Sequence, residues 1–200
     1  MKPRTFSEAL AHRRSYYALG NNSSATEDVV HAVREVVRTV PSAFNSQSTR
    51  IVVLLGEEHT KLWTIVKETL RPLVPVEAFA KTEAKIDRSF ASGEGTVLYF
   101  EDMTVIRRLQ ELFPLYRDNF PTWAQHTSAM HQLAIWTMLD DMGLGASLQH
   151  YNPLIDEEVH HTWQLPDEWM LIAQMPFGTP LDVPAPRQVE ELSKRIRVFR

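Results

Sequence analysis

Two short, unbroken apolar runs, Ile51-Val52-Val53-Leu54-Leu55 and Thr96-Val97-Leu98-Tyr99-Phe100, set the terms on which this chain folds. A strand with one wet face alternates apolar and polar residues. These runs do not, so both read as buried strands. Most of the remaining chain has helical spacing. Helices are expected over 5–13, with Phe6, Ala9 and Leu10 on the buried face, and again after Ser24. There Val29, Val30, Val33, Val36, Val37 and Val40 recur until Pro41, and Ser24 with Glu27 forms a capping-box pattern. Further helices are expected over 57–70, 76–90 and 102–113. The longest, 124–142, carries Met130, Leu133, Ala134, Thr137, Met138 and Asp141 along one stripe and stops at Gly143 and Gly145. Short strands over 146–150 and 170–175 flank a helix near 156–163, and the proline-rich stretch 176–186 reads as an extended connector. No repeat or internal boundary is evident. One domain over 1–200 is expected, α+β in class, with helix-rich layers.

Composition then removes function classes. The 200 residues are 44% hydrophobic and 23% charged, an ordinary globular balance. A formal charge of -4 argues against a general nucleic-acid binder. With no cysteine there can be no disulfide, thiolate zinc site, iron–sulfur cluster or cysteine nucleophile. No apolar run approaches the roughly 20 residues of a membrane helix, and the N-terminus lacks a signal-peptide core. A cytoplasmic protein with no membrane partner is the expectation. Phosphate-loop and nucleophile-elbow motifs are absent, and Gly143-Leu144-Gly145 follows a helix where a dinucleotide fingerprint would follow a strand. The eight histidines show no His-Glu-x-x-His spacing, so no metal site is assigned.

Two basic clusters and one loop carry what chemistry the sequence offers. Arg13-Arg14-Ser15 closes the first helix, and Arg195-Ile196-Arg197 lies near the C-terminus. They read either as cations at a helix end and in a solvated tail, or as a converging anion site. The loop Pro41-Ser42-Ala43-Phe44-Asn45-Ser46-Gln47 reads either as an ordinary turn or as a polar rim for a planar heteroaromatic ligand.

Together these segments resemble the FMN-dependent nitroreductase family. The carriers are Arg13-Arg14-Ser15, the loop from Pro41 to Gln47, and Gly143-Leu144-Gly145 after the long helix. Residues 95–102, 147–153 and 175–180 are similar to its fatty-acid-repression (Frm2-like) subgroup. The resemblance implies a nitroreductase-like fold, a mainly antiparallel sheet flanked by helices, in an intertwined homodimer. The extension 176–200 would reach the partner, and two FMN molecules would lie at the interface.

Carried over by position, Arg13, Arg195 and Arg197 hold the phosphate, with Arg14 and Ser15 near the phosphate or the flavin pyrimidine edge. Pro41, Ser42 and Asn45 approach the flavin from the neighbouring subunit, and Gln47 of the same loop is a further cofactor-binding candidate. Gln149 and His150 lie beside the ring. Tyr17 stands where many members carry a Lys or Arg, and Arg88 is the candidate for the missing charge. The activity implied is ping-pong electron transfer from NADH or NADPH, through FMN, to a nitroaromatic or quinone-like acceptor, with no side chain as acid or base. The alternative is a regulatory flavin-binding protein of lipid or redox signalling with little turnover.

Overall fold

A computed structural model describes residues 4–22 and 25–200. The two apolar runs become β2 (Thr49–Leu55) and β3 (Gly95–Asp102), paired antiparallel from Thr49 opposite Glu101 to Leu55 opposite Gly95. On its other side β3 pairs antiparallel with β5 (Trp169–Pro180). β1 (Leu19–Gly20) and β4 (Gly145–Ala146) also join β5, giving five strands ordered β1-β5-β3-β2, with β4 beside β5.

β3 shows why its run does not alternate. Val97 and Tyr99 enter one core, Leu98 and Phe100 the other, and all four are inaccessible to water. Helices α2 (Thr26–Thr39) and α6 (Phe120–Asp141) cover the first face through Val29, Val33, Val36, Ile135 and Leu139. Helices α3 (Gly56–Leu70), α4 (Val76–Ile86) and α7 (Asp156–Trp163) cover the second through Leu62, Trp63, Val66, Ile86 and Val159. The remaining helices are α1 (Phe6–His12), α5 (Met103–Leu112) and the short α8 (Leu192–Arg195).

Several expectations are corrected. Residues 176–180 are not connector: they complete β5, and Phe177 is fully buried. Only the part beyond Pro180 is extended. The strand expected over 146–150 shortens to β4 plus a bridge of Gln149 to Gln174. The helix expected to reach residue 90 stops at Ile86 and widens into a π turn, Asp87–Ala91. α6 starts earlier than expected, with Pro121 in its first turn, where a missing N–H costs nothing. Its expected stripe holds only in part: Ala134, Thr137 and Met138 turn to the core, but Met130 and Leu133 face outward, and His131, Gln132, Ile135 and Leu139 are buried. On α1 only Ala9 is buried, while Phe6 and Leu10 are exposed. The Ser24 capping box lies outside the described residues. Thr5 and Glu8 instead form a capping box at α1.

Candidate functional site

The chain leaves α1 at Arg13, whose backbone turns to φ -50° and ψ 126° once its N–H has bonded the Ala9 carbonyl. The next residues run extended. Ser15 bridges Ala146 in parallel, and the Tyr16 N–H donates to the Ala146 carbonyl at 3.0 Å. Gly145 permits this approach, because a Cβ there would lie 2.9 Å from the Tyr16 side chain. Gly143, at φ 83°, makes the left-handed turn off α6. The glycine pair therefore serves the backbone, not a dinucleotide.

Arg13 occupies an unusual setting. Its guanidinium carbon sits 4.2 Å above the Trp136 ring of α6, and its Nε and Nη1 are buried with no hydrogen-bond partner. Burial pulls this guanidinium below the usual arginine range; the nearby Asp140 carboxylate opposes that shift, while Arg187 and Arg14 add to it. It stays charged, because arginine does not release its proton in proteins. Buried donors without acceptors cost free energy, about 1–3 kcal/mol each and more when charged. Asp140 does not relieve them: its carboxylate faces His12 Nδ1 at 2.6 Å and Arg4 Nη1 at 3.8 Å.

Two clefts meet at this side chain. One, of about 660 Å³, runs between α1, α6 and the tail, with Arg13, Leu133, Arg187 and Arg195 in its wall. The other, of about 450 Å³, is lined by Arg13, Arg14, Ser15, Tyr17, Asp182 and Arg187. The Arg14 side chain donates to the Ala185 carbonyl, tying the tail across the second cleft. Four arginines thus line the two adjoining clefts, one of them with donors that no protein group has taken, and this concentration of positive charge suits a phosphoryl group and so fits the phosphate of FMN. The cluster contains Arg13, Arg14, Ser15, Tyr17 and Arg195 from the sequence reading. It adds Arg187 and Trp136, which that reading missed. Arg187 lay just past the proline-rich stretch with no motif around it, and Trp136 looked like one more apolar residue of a long helix.

The other candidates lie elsewhere. Arg197 is exposed beyond α8 and lines neither cleft. Arg88 lies apart from both clefts, exposed on the π turn after α4, whose Phe90 packs in the core across the sheet from Trp136. Gln149 exchanges hydrogen bonds of 2.7 and 2.9 Å with Gln174, and His150 is exposed beside it.

The loop after α2 also lines neither arginine cleft. Pro41, Asn45 and Gln47 are exposed and Ser42 is half-buried. It is no ordinary turn, since Phe44, Asn45 and Gln47 all have left-handed φ, at 55°, 52° and 48°. Three clamps hold it. Ser42 Oγ accepts from the Gln47 N–H at 3.0 Å, Arg50 donates to the Gln47 carbonyl at 2.7 Å, and Phe44 wedges among aromatic rings. Its centroid lies 4.9 Å from Phe113, 5.3 Å from Phe120 and 5.8 Å from Trp123. Behind the loop, Ser48 and Thr49 each donate to the buried Glu101 carboxylate at 2.6 Å. Burial raises the Glu101 carboxyl above the usual range, against the pull of those hydroxyls and of Arg50.

Among the described residues no helix is long and apolar enough to cross a membrane, and no three His, Asp or Glu side chains cluster to hold a metal.

Comparison with known proteins agrees with this architecture. The model of the nitroreductase family matches residues 10–179. HBN1 of Saccharomyces cerevisiae is 36% identical over 183 residues, covering 90% of each chain. The nitroreductase FRM2 of the same organism is 32% identical over 179 residues, 88% of each chain. The structure of nitroreductase CinD from Lactococcus lactis with nicotinic acid superposes with a TM-score of 0.92 at 42% identity, covering 98% of this chain and 100% of that one. CinD has also been solved with chloramphenicol and with 4-nitrophenol. Family match, full-length relatives and superposition all concur: the chain belongs to the nitroreductase family, in its Frm2-like subgroup.

Proposed function

We propose that the protein is a homodimeric, FMN-dependent oxidoreductase that takes electrons from NADH or NADPH and passes them to small nitroaromatic or quinone-like acceptors. The observation that carries this reading is Arg13, with buried, unpartnered donors beside Arg14, Arg187 and Arg195, in a chain of this family. FMN supplies the two-electron chemistry when bound, which suits a site with no acid–base dyad. Arg13, Arg187 and Arg195 would hold its phosphate, with Arg197 close behind in sequence. Arg14, Ser15, Tyr17 and the backbone of Gln149 and His150 would border the ring. The partner subunit's Ser42 and the partner subunit's Asn45 would complete the polar edge. The nitrophenyl and pyridine ligands of CinD support a flat aromatic acceptor.

The dimer draws support from apolar surface that one chain leaves in water. Phe6 is 77% exposed and Phe199 89%, with Met130 and Leu133 outward on α6. Burying these side chains against a second copy would remove that apolar surface from water.

Two measurements test the proposal. The purified protein should show flavin absorbance, and it should oxidise NADH or NADPH steadily only when a nitroaromatic or quinone is added. Failure to bind FMN on reconstitution overturns the reading. Bound flavin without turnover favours the regulatory alternative.

A further inference from the structure

We propose that Trp136 is a positioning residue for the phosphate site: its ring carries the Arg13 charge so that the guanidinium's own N–H donors stay free for the anion. This rests on the flavin reading above. A charged guanidinium can be held by a carboxylate, a carbonyl or an aromatic face. Carboxylates and carbonyls use up N–H donors, and an incoming phosphate would then have to compete for them. The face of an indole attracts the cation and uses none.

The geometry follows the last arrangement. Arg13 lies 4.2 Å above Trp136, with Nε and Nη1 buried and unpartnered. The one carboxylate whose field reaches it, Asp140, is occupied by His12 at 2.6 Å and Arg4 at 3.8 Å. Leu133, Trp136 and Asp140 are spaced i, i+3, i+7 on α6, so one helix face supplies the cleft wall, the ring and the field. The ring is itself fixed. Its N–H donates to the Ala146 carbonyl at 3.2 Å, the same oxygen that accepts from Tyr16 beside Arg14 and Ser15. One indole therefore sets the aim of Arg13 and the path of the segment that follows it.

Equilibrium titration of the full-length, flavin-stripped protein with FMN and with riboflavin, which lacks the phosphate, tests this. The readout is the ratio of the two dissociation constants. Wild type should prefer FMN. Trp136→Met should reduce that preference roughly 3- to 30-fold, the range expected for losing a partly buried cation–π contact. Trp136→Phe keeps a ring face without the N–H and should retain most of the preference. Trp136→Met added to Arg13→Gln should cost nothing further in the ratio, since both act through one contact. Trp136→Leu replaces the Met variant if that does not fold. Equal weakening of both flavins would make Trp136 a packing residue only and overturn the proposal, as would a Phe variant no better than the Met one. A wild-type protein that binds both flavins but does not prefer FMN would instead overturn the phosphate reading itself.

Discussion

Arg13 is kept charged where a guanidinium has little to bond, and this conflict separates its contribution to binding from its contribution to folding. Each contact from a charged donor to phosphate contributes about 1.5–3 kcal/mol, so Nε and Nη1 together stand for roughly 3–6 kcal/mol of FMN affinity. Arg13→Leu should therefore weaken FMN by about two to four orders of magnitude. The flavin-free protein should meanwhile melt close to wild type, because losing the contact with the Trp136 ring is offset by removing two buried donors that have no acceptor. Isothermal titration and scanning calorimetry read the two halves. A large loss of stability would show that Arg13 is a structural arginine. Arg187→Ala, on the same ground, should weaken FMN by about 1.5–3 kcal/mol, whereas Arg88→Ala should leave the affinity unchanged. Arg13 was legible from sequence because it follows a helix beside a second arginine. Arg187 and Trp136 were not, because cation clustering and a ring beneath a guanidinium are contacts between segments more than 50 residues apart in the chain.

Individual elements store strain and titratable groups that can be read the same way. The loop after α2 holds Gln47 at φ 48° with its side chain exposed, a conformation that costs a residue with a Cβ roughly 1–2 kcal/mol. Gln47→Gly should raise the unfolding free energy by about 1 kcal/mol in urea titration, less than the full strain because glycine loses more entropy on folding. A drop would mean that the loop is relaxed. Between α3 and β3, the Trp63 indole N–H donates to Thr96 Oγ1 at 3.0 Å, and His59 Nδ1 lies 2.8 Å from the same hydroxyl. With that oxygen accepting from Trp63, the hydroxyl proton points to His59 Nδ1, and Nε2–H faces the Ala91 carbonyl at 3.3 Å. Neutral His59 satisfies this chain; protonated His59 breaks it. Burial lowers the His59 pKa in the folded state, and the buried His131 shifts in the same direction. The unfolded chain then binds more protons below the ordinary histidine pKa of about 6.5, so stability should fall as pH drops through that value. Melting temperatures between pH 7.5 and 5 should decline, and His59→Gln should flatten the decline. An identical slope in that variant would clear His59 of the effect.

At the scale of the molecule, Met130 and Leu133 on α6, and Val183, Val198 and Phe199 in the otherwise charged tail beyond Pro180, leave apolar side chains in water. Met130 lines a small cleft with Phe44 and Trp123, next to the strained loop. In the proposed dimer, a charge there would disturb the interface and the flavin edge together. Met130→Lys should weaken dimerisation and lower flavin occupancy in parallel, read by sedimentation velocity and by the ratio of flavin to protein absorbance. Unchanged association would place the interface elsewhere.

What the sequence determined by itself was local or periodic. The apolar runs at 51–55 and 96–100 dictated buried strands, because a strand without alternation must be covered on both faces. The ends of α3 and α7, which depend on nearby residues, were placed to within a residue. The motif set dictated the family. Tertiary structure decided what depends on distant neighbours. The stretch 176–180 reads as connector by its prolines yet lies in a strand, because β3 supplies its partners as far as Phe177 and β1 and β4 extend the pairing to Pro180. Met130 and Leu133 of α6 face outward while His131, Gln132 and Thr137 are buried beside Ile135 and Leu139, because the polar atoms of those three find hydrogen bonds within the helix itself. The site is of this second kind: a helix end and a tail about 175 residues apart in sequence line one cleft, and only the packing of α1 on α6 sets Arg13 over the Trp136 ring.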